Sequence, residues 1–188
     1  VVGLNHLGRG IQSMEQPGRI AIVGYGGMGS WHAKLLKSVK EAQLMGIYDI
    51  DPARSKAAQR AGIRAYESYE ELLADPEVEL LIVAVPNDLH RELSIQAMDA
   101  GKHVICEKPV ALNSGELEDM IAAAERNHVV FTVHQNRRWD EDFRIVKELY
   151  EKETLGKVFH IESRVHGSRG IPGDWRNTKG HGGGMVLD

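Results

Sequence analysis

At 188 residues, 42% hydrophobic and 27% charged, the chain can build one full core with some length to spare, and its composition is that of an ordinary globular protein. A formal net charge of −4 argues against a surface built to neutralise nucleic-acid phosphates, and no apolar run approaches the ~20 residues that span a bilayer. The single cysteine, Cys106, cannot close an internal disulfide and suits a reducing compartment, so a cytoplasmic protein without nucleic-acid or membrane partners is expected.

Residues 1–17 carry neither a periodic pattern nor the apolar core of a secretory signal; they are expected to be a disordered leader, with Met14 the natural start. The run Arg19-Ile20-Ala21-Ile22-Val23-Gly24-Tyr25-Gly26-Gly27-Met28-Gly29 then reads as a buried strand, a glycine-rich turn and the opening of a helix over 27–38. In this G-x-G-x-x-G pattern Gly24 permits the tight turn. Gly26 lets the backbone approach a pyrophosphate, and Gly29 lets helix and strand pack closely. The free N–H groups and positive dipole end of that helix suit phosphate. A second strand at 43–48 ends in Asp49, twenty positions after Gly29, where a carboxylate meets an adenosine ribose. The plainer alternatives are a ligand-free glycine turn and a capping role for Asp49. Ile50 offers no positive partner for a 2′-phosphate and Arg54 falls in the next helix, so NAD is expected over NADP.

Further along, Asp51-Pro52 opens a helix to about residue 61, which Gly62 stops. A short strand is expected at 63–66, and Ser68-Tyr69-Glu70-Glu71 is a capping box for a helix ending near 74. The continuous apolar run 80–85 suits a strand buried on both faces. A helix over 89–100 stops at Gly101; a strand at 103–106, a helix at 114–127 and a strand at 129–134 follow. This alternation predicts an α/β Rossmann-type doubly wound parallel sheet, with ligands at the carboxyl ends of its strands. After residue 135 the pattern changes. A charged helix over 141–152 precedes 157–165, whose apolar–polar alternation fits a strand of a one-sided antiparallel sheet. The expected organisation is a dinucleotide-binding domain over 18–136 and the incomplete opening of a second domain over 137–188.

The strand ends carry polar residues. Pro86-Asn87-Asp88-Leu89-His90 is either a turn with a helix cap and a packing histidine, or a loop that faces a ligand. In Glu107-Lys108-Pro109 the proline restricts Lys108 to an extended conformation and so aims its amine; the alternative is a solvated Glu–Lys pair. A lysine placed there can take the hydroxyl proton of a secondary alcohol as hydride leaves the carbon, and can bond the developing carbonyl oxygen. None of the nine histidines forms an H-x-x-x-H pair with a third ligand, so no metal is expected, and Cys106 reads as a small buried hydrophobe.

Together, Gly24-x-Gly26-x-x-Gly29, Asp49, Pro86-Asn87…His90, Gly101-Lys102-His103-Val104…Glu107-Lys108-Pro109, Asn136-Arg137-Arg138 and Asp174-Trp175-Arg176…Gly182-Gly183-Gly184…Asp188 resemble the Gfo/Idh/MocA family of glucose-fructose oxidoreductases and inositol dehydrogenases. The Glu-Lys-Pro segment is the specific part. The resemblance implies a Rossmann domain followed by an α+β substrate domain with a mostly antiparallel sheet. It also implies that Gly24, Gly26, Gly27, Met28 and Gly29 line the pyrophosphate and that Asp49 meets the ribose. Pro86, Asn87 and His90 would border the nicotinamide half, with Glu107 and Lys108 near its ribose and ring. Gln135 and Arg137 would lie close to nicotinamide or substrate, and Trp175-Arg176 would return to the cofactor. Lys108 is then the catalytic lysine. Asp188 matches a catalytic aspartate that orients a histidine four positions on, past the last residue of this chain.

The activity so implied is an NAD(P)-dependent oxidoreductase acting on a sugar, cyclitol or related polyol, homo-oligomeric when full-length. Two other readings stand beside it: an NAD-dependent glycoside hydrolase of the same family, which would show no net cofactor reduction, and a non-catalytic dinucleotide-binding protein.

Overall fold

A computed structural model describes residues 17–164. In chain order its elements are β1 (Gly18–Val23), α1 (Gly27–Leu36), β2 (Ala42–Tyr48), α2 (Pro52–Arg60), α3 (Tyr69–Ala74), β3 (Leu80–Val83), α4 (His90–Asp99), β4 (His103–Cys106), α5 (Ser114–Arg126), β5 (Phe131–Val133) and α6 (Glu141–Glu151). Short 3-10 turns at Asn87–Leu89 and Asn136–Trp139 precede α4 and α6. Local chemistry starts several of these helices. The Asp51 carboxylate accepts the Ala53 N–H ahead of Pro52, Ser68 accepts from Glu71, and Asn113 accepts from Glu116. Glu71 reaches back to the Glu67 N–H (2.7 Å), one residue before the cap, so the capping box closes one position early.

The five strands are all parallel, in the order β2-β1-β3-β4-β5. Apolar residues alternate between two cores, one on each face. Ala21, Val23, Leu81 and Val83 pack on one side with Met98 and Met120 from α4 and α5. Ile22, Ile47 and Ile82 pack on the other with Ala33 of α1 and Ala58 of α2. Burial on both faces is why the β3 run is continuously apolar. The chain leaves β1 toward β2 on one side and later crosses to β3 on the other. The carboxyl ends of β1 and β3 therefore flank the crevice where open α/β sheets take ligands.

Three expectations need correction. The strand at 63–66 shrinks to a single bridge between Ala65 and Ile47, fixed by Ile47 N–H to Arg64 O and Tyr66 N–H to Ile47 O (both 2.9 Å). The last strand is shorter than 129–134, because the Val129 N–H still bonds Ala124 O at the end of α5 (3.1 Å). The alternating segment at 157–164 forms no strand: no described strand lies beside it to complete its ladder, and Phe159 is 96% exposed. Residue 165 lies outside the described residues. Helix α6 buries no residue and leaves Phe143, Ile145, Val146, Leu149 and Tyr150 uncovered. No helix among the described residues is long and apolar enough to cross a membrane.

Candidate functional site

The site begins where β1 ends. Gly24 has φ +89°, and a Cβ there would stand 2.3 Å from Ala84 O at the end of β3. A Cβ at Gly29 would stand 1.8 Å from Gly24 O, so neither position accepts a side chain. Helix α1 starts at Gly26 with no side-chain cap and no acidic residue in its first turn. A Cβ on Gly27 would meet nothing within 4 Å. An uncapped helix start beside open space fits a phosphate group. Met28 sits half-buried in the same turn.

Asp49 closes the other side of this turn. Its buried carboxylate accepts the Tyr25 N–H on Oδ2 (2.6 Å) and the Asp51 N–H on Oδ1 (2.8 Å). Arg54 reaches back from α2 to Asp49 Oδ2 (3.3 Å) and to Asp51 (3.7 Å). Its Nη1 would lie 3.3 Å from a Cβ on Gly26. Arg54 therefore spans the mouth between glycine loop and acid. That position is decided by the packing of α2, and the spacing of residues does not reveal it.

Past β3, Pro86 is half-buried and Asn87 is buried at the start of a 3-10 turn. His90 is wholly buried, with Nδ1 2.8 Å from Pro109 O and Nε2 3.0 Å from Val85 O. It ties the loop after β3 to the loop after β4 from beneath. Burial pushes the His90 pKa down, against the opposing pull of the two carbonyls and of the Glu107 and Asp88 carboxylates.

Past β4, the Glu107 N–H continues the ladder to Val83 O (2.9 Å) and leads into Lys108, exposed at the sheet edge, and Pro109. The Glu107 side chain turns inward. Its Oε1 lies 2.6 Å from His32 Nε2 and 2.9 Å from His134 Nδ1, and its Oε2 accepts the Lys108 N–H (3.3 Å). Burial alone would push the carboxyl up. The His32 hydrogen bond, the two neighbouring imidazoles and the Lys108 N–H outweigh it and hold Glu107 below the usual carboxylate range. Cys106, one residue earlier, is fully buried, and burial pushes its thiol up to about 12, as befits a small core residue.

Past β5, His134 keeps the sheet ladder through its N–H to Cys106 O (2.8 Å), and Gln135 is exposed beyond it. The rings of His32 and His134 meet edge-on at 4.7 Å, with Trp31 5.4 Å from the first and 6.2 Å from the second. No spacing rule connects residues 32, 107 and 134; the sheet order and the packing of α1 bring them together. Trp175, Arg176 and Asp188 lie outside the described residues. What the fold does gather at one edge is Gly24, Gly26, Gly27, Met28, Gly29, Asp49, Pro86, Asn87, Glu107, Lys108 and Gln135. That edge offers an uncapped helix start, a buried carboxylate and an exposed amine at the strand ends where open α/β sheets take ligands.

A crystal structure of an NAD-binding protein from Listeria innocua superposes with a TM-score of 0.89 at 53% identity, covering 92% of this chain and 51% of that one. A myo-inositol 2-dehydrogenase of Thermotoga maritima is 37% identical over 150 residues, 78% of this chain and 45% of that protein. A scyllo-inositol 2-dehydrogenase (NADP(+)) of Bacillus subtilis is 32% identical over 174 residues, 90% and 48% respectively. The chain spans about half the length of these relatives. The pattern of the Gfo/Idh/MocA oxidoreductases, described as an oxidoreductase family with an NAD-binding Rossmann fold, matches residues 18–135. With that match over most of its length, and with the glycine loop, Asp49 and Lys108 on one sheet edge, this chain belongs to the Gfo/Idh/MocA oxidoreductase family.

Proposed function

We propose that the chain binds NAD across the carboxyl edge of its sheet. In the whole protein, Lys108 then exchanges the hydroxyl proton of a sugar, cyclitol or related polyol during its oxidation. The observation that carries this reading is the strand order: β4, which ends in Glu107-Lys108, lies beside β3, and β3 lies beside the glycine loop's strand β1. The inositol dehydrogenases among the relatives support the substrate class.

The α1 N-terminus and Gly26–Gly27 would hold the pyrophosphate, and Asp49 the adenosine ribose. When bound, the nicotinamide accepts the hydride from the carbinol carbon. Lys108 supplies what the cofactor cannot, taking the O–H proton onto Nζ as the carbon–oxygen double bond forms and returning it in reduction. Residues 137–188 would open the substrate domain, which accounts for the uncovered apolar stripe of α6.

The test is a crystal of the protein soaked with NAD, read together with absorbance at 340 nm during turnover of a polyol panel. A nicotinamide ring beside Lys108 and net cofactor reduction are the expected results. A ring on the far side of the sheet overturns the site, and product without net reduction overturns the dehydrogenase reading in favour of transient oxidation.

A further inference from the structure

We propose that His32, Glu107 and His134 form a binding site for a borderline divalent cation, with Zn2+ the best match. Their ligating atoms, His32 Nε2, a Glu107 carboxylate oxygen and His134 Nδ1, all lie within 4.8 Å of one another. Two imidazole nitrogens and one carboxylate with a fourth position open is a zinc ligand set. Nitrogen donors disfavour Mg2+ and Ca2+, which prefer oxygen.

Three further observations point to a cation. The first is seclusion: the side chains of His32 and Glu107 are only 8% and 6% exposed, whereas His134 is 25% exposed and leaves one approach from solvent. The second is an orphaned atom. His134 Nδ1 is shielded from water and, although 2.9 Å from Glu107 Oε1, makes no aligned hydrogen bond. A buried imidazole nitrogen without an aligned partner is costly unless something else satisfies it. The third is rigidity, because the donors come from helix α1 and from the ends of adjacent strands β4 and β5.

The contacts of 2.6 and 2.9 Å are hydrogen-bond separations. Tetrahedral ligands at zinc distances stand about 3.3 Å apart. Binding therefore removes the shared hydrogens, moves each imidazole nitrogen away from the Glu107 oxygen by about 0.4–0.7 Å and releases protons. It also gives the buried Glu107 carboxylate a permanent counter-charge.

The experiment titrates the 188-residue chain with Zn2+ against a chromophoric chelator and records the visible spectrum with Co2+. One Zn2+ per chain at micromolar affinity and an intense four-coordinate Co2+ band are expected. His134→Ala and Glu107→Gln should each weaken the affinity about 10-fold or more. Circular dichroism confirms that the variants are folded. Should a variant unfold, the Co2+ spectrum of the unaltered chain and quenching of Trp31 emission, absent in Trp31→Phe, read the site directly. Absence of stoichiometric binding, or binding undiminished in both folded variants, overturns the proposal. The former leaves a cluster that holds protons only, and the latter places the metal on other histidines. NAD enters none of these measurements, so failure of the dehydrogenase reading does not disturb them.

Discussion

His90 Nδ1 stands 2.8 Å from Pro109 O while its Nε2 stands 3.0 Å from Val85 O, so one buried ring joins the loops that follow two neighbouring strands. A neutral imidazole carries a single N–H, and only one of these contacts is then a hydrogen bond. Either way the ring packs against the backbone of Pro109, next to Lys108 in the chain.

The His90 pKa is lowered by burial, so the folded protein keeps the ring neutral where the unfolded chain would protonate it. Its contribution to stability is therefore full above the ordinary value of 6.5 and is lost as pH falls below it. Urea midpoints taken from pH 7.5 to 5 should fall with pH, and the slope should flatten in His90→Gln. Truncation to alanine should cost about 1–3 kcal/mol by stranding the buried carbonyl that accepts the ring N–H. An identical pH slope in both proteins would remove His90 from the account.

Gly29 faces Gly24 O so closely that even a methyl group has no room. Gly29→Ala should destabilise the protein at the upper end of the roughly 1–3 kcal/mol range for overpacking, and should weaken dinucleotide binding as α1 is pushed off β1. Gly27→Ala, whose Cβ meets nothing within 4 Å, is the control for stability. Equal denaturation midpoints for the two would contradict the packing described.

On the proposed reading, Asp49 and Arg54 set the choice of cofactor through charge. The carboxylate repels a 2′-phosphate and also occupies the guanidinium that would attract one. Asp49→Asn keeps the acceptor for Asp51 N–H, removes the charge and releases Arg54 from Asp49, leaving it near Asp51. The ratio of NAD to NADP dissociation constants should move toward NADP by about tenfold or more, equivalent to ~1.4 kcal/mol. Adding Arg54→Ala should cancel the gain. Calorimetric titration with each dinucleotide decides it, and an unmoved ratio refutes the charge argument.

Lys108 is the group on which the proposed chemistry turns. Replacing it by alanine in the full-length protein should lower turnover roughly 10²-fold or more while leaving NAD affinity within a few-fold. Turnover close to that of the parent would take the lysine out of the reaction.

Much of this was legible in the chain before it folds. The glycine loop, the caps at Asp51 and Ser68, and the alternation of β-runs with helices are written in neighbouring residues, because turns, caps and periodicity depend on contacts only a few positions apart. For the same reason the edges of elements were less secure: the segments at 63–66 and 157–164 have strand-like composition, but a strand exists only when another lies alongside to take its hydrogen bonds.

Amino-acid order by itself thus determined the nucleotide-binding class, the parallel sheet and the lysine before Pro109. Folding alone decided which distant side chains meet. Arg54 settles on Asp49, His90 bridges two loops, and His32 reaches Glu107 across 75 positions of chain. Crossover helices in a parallel sheet carry successive strands back to the same edge, so strand ends remote in sequence become neighbours, and no local pattern encodes that proximity.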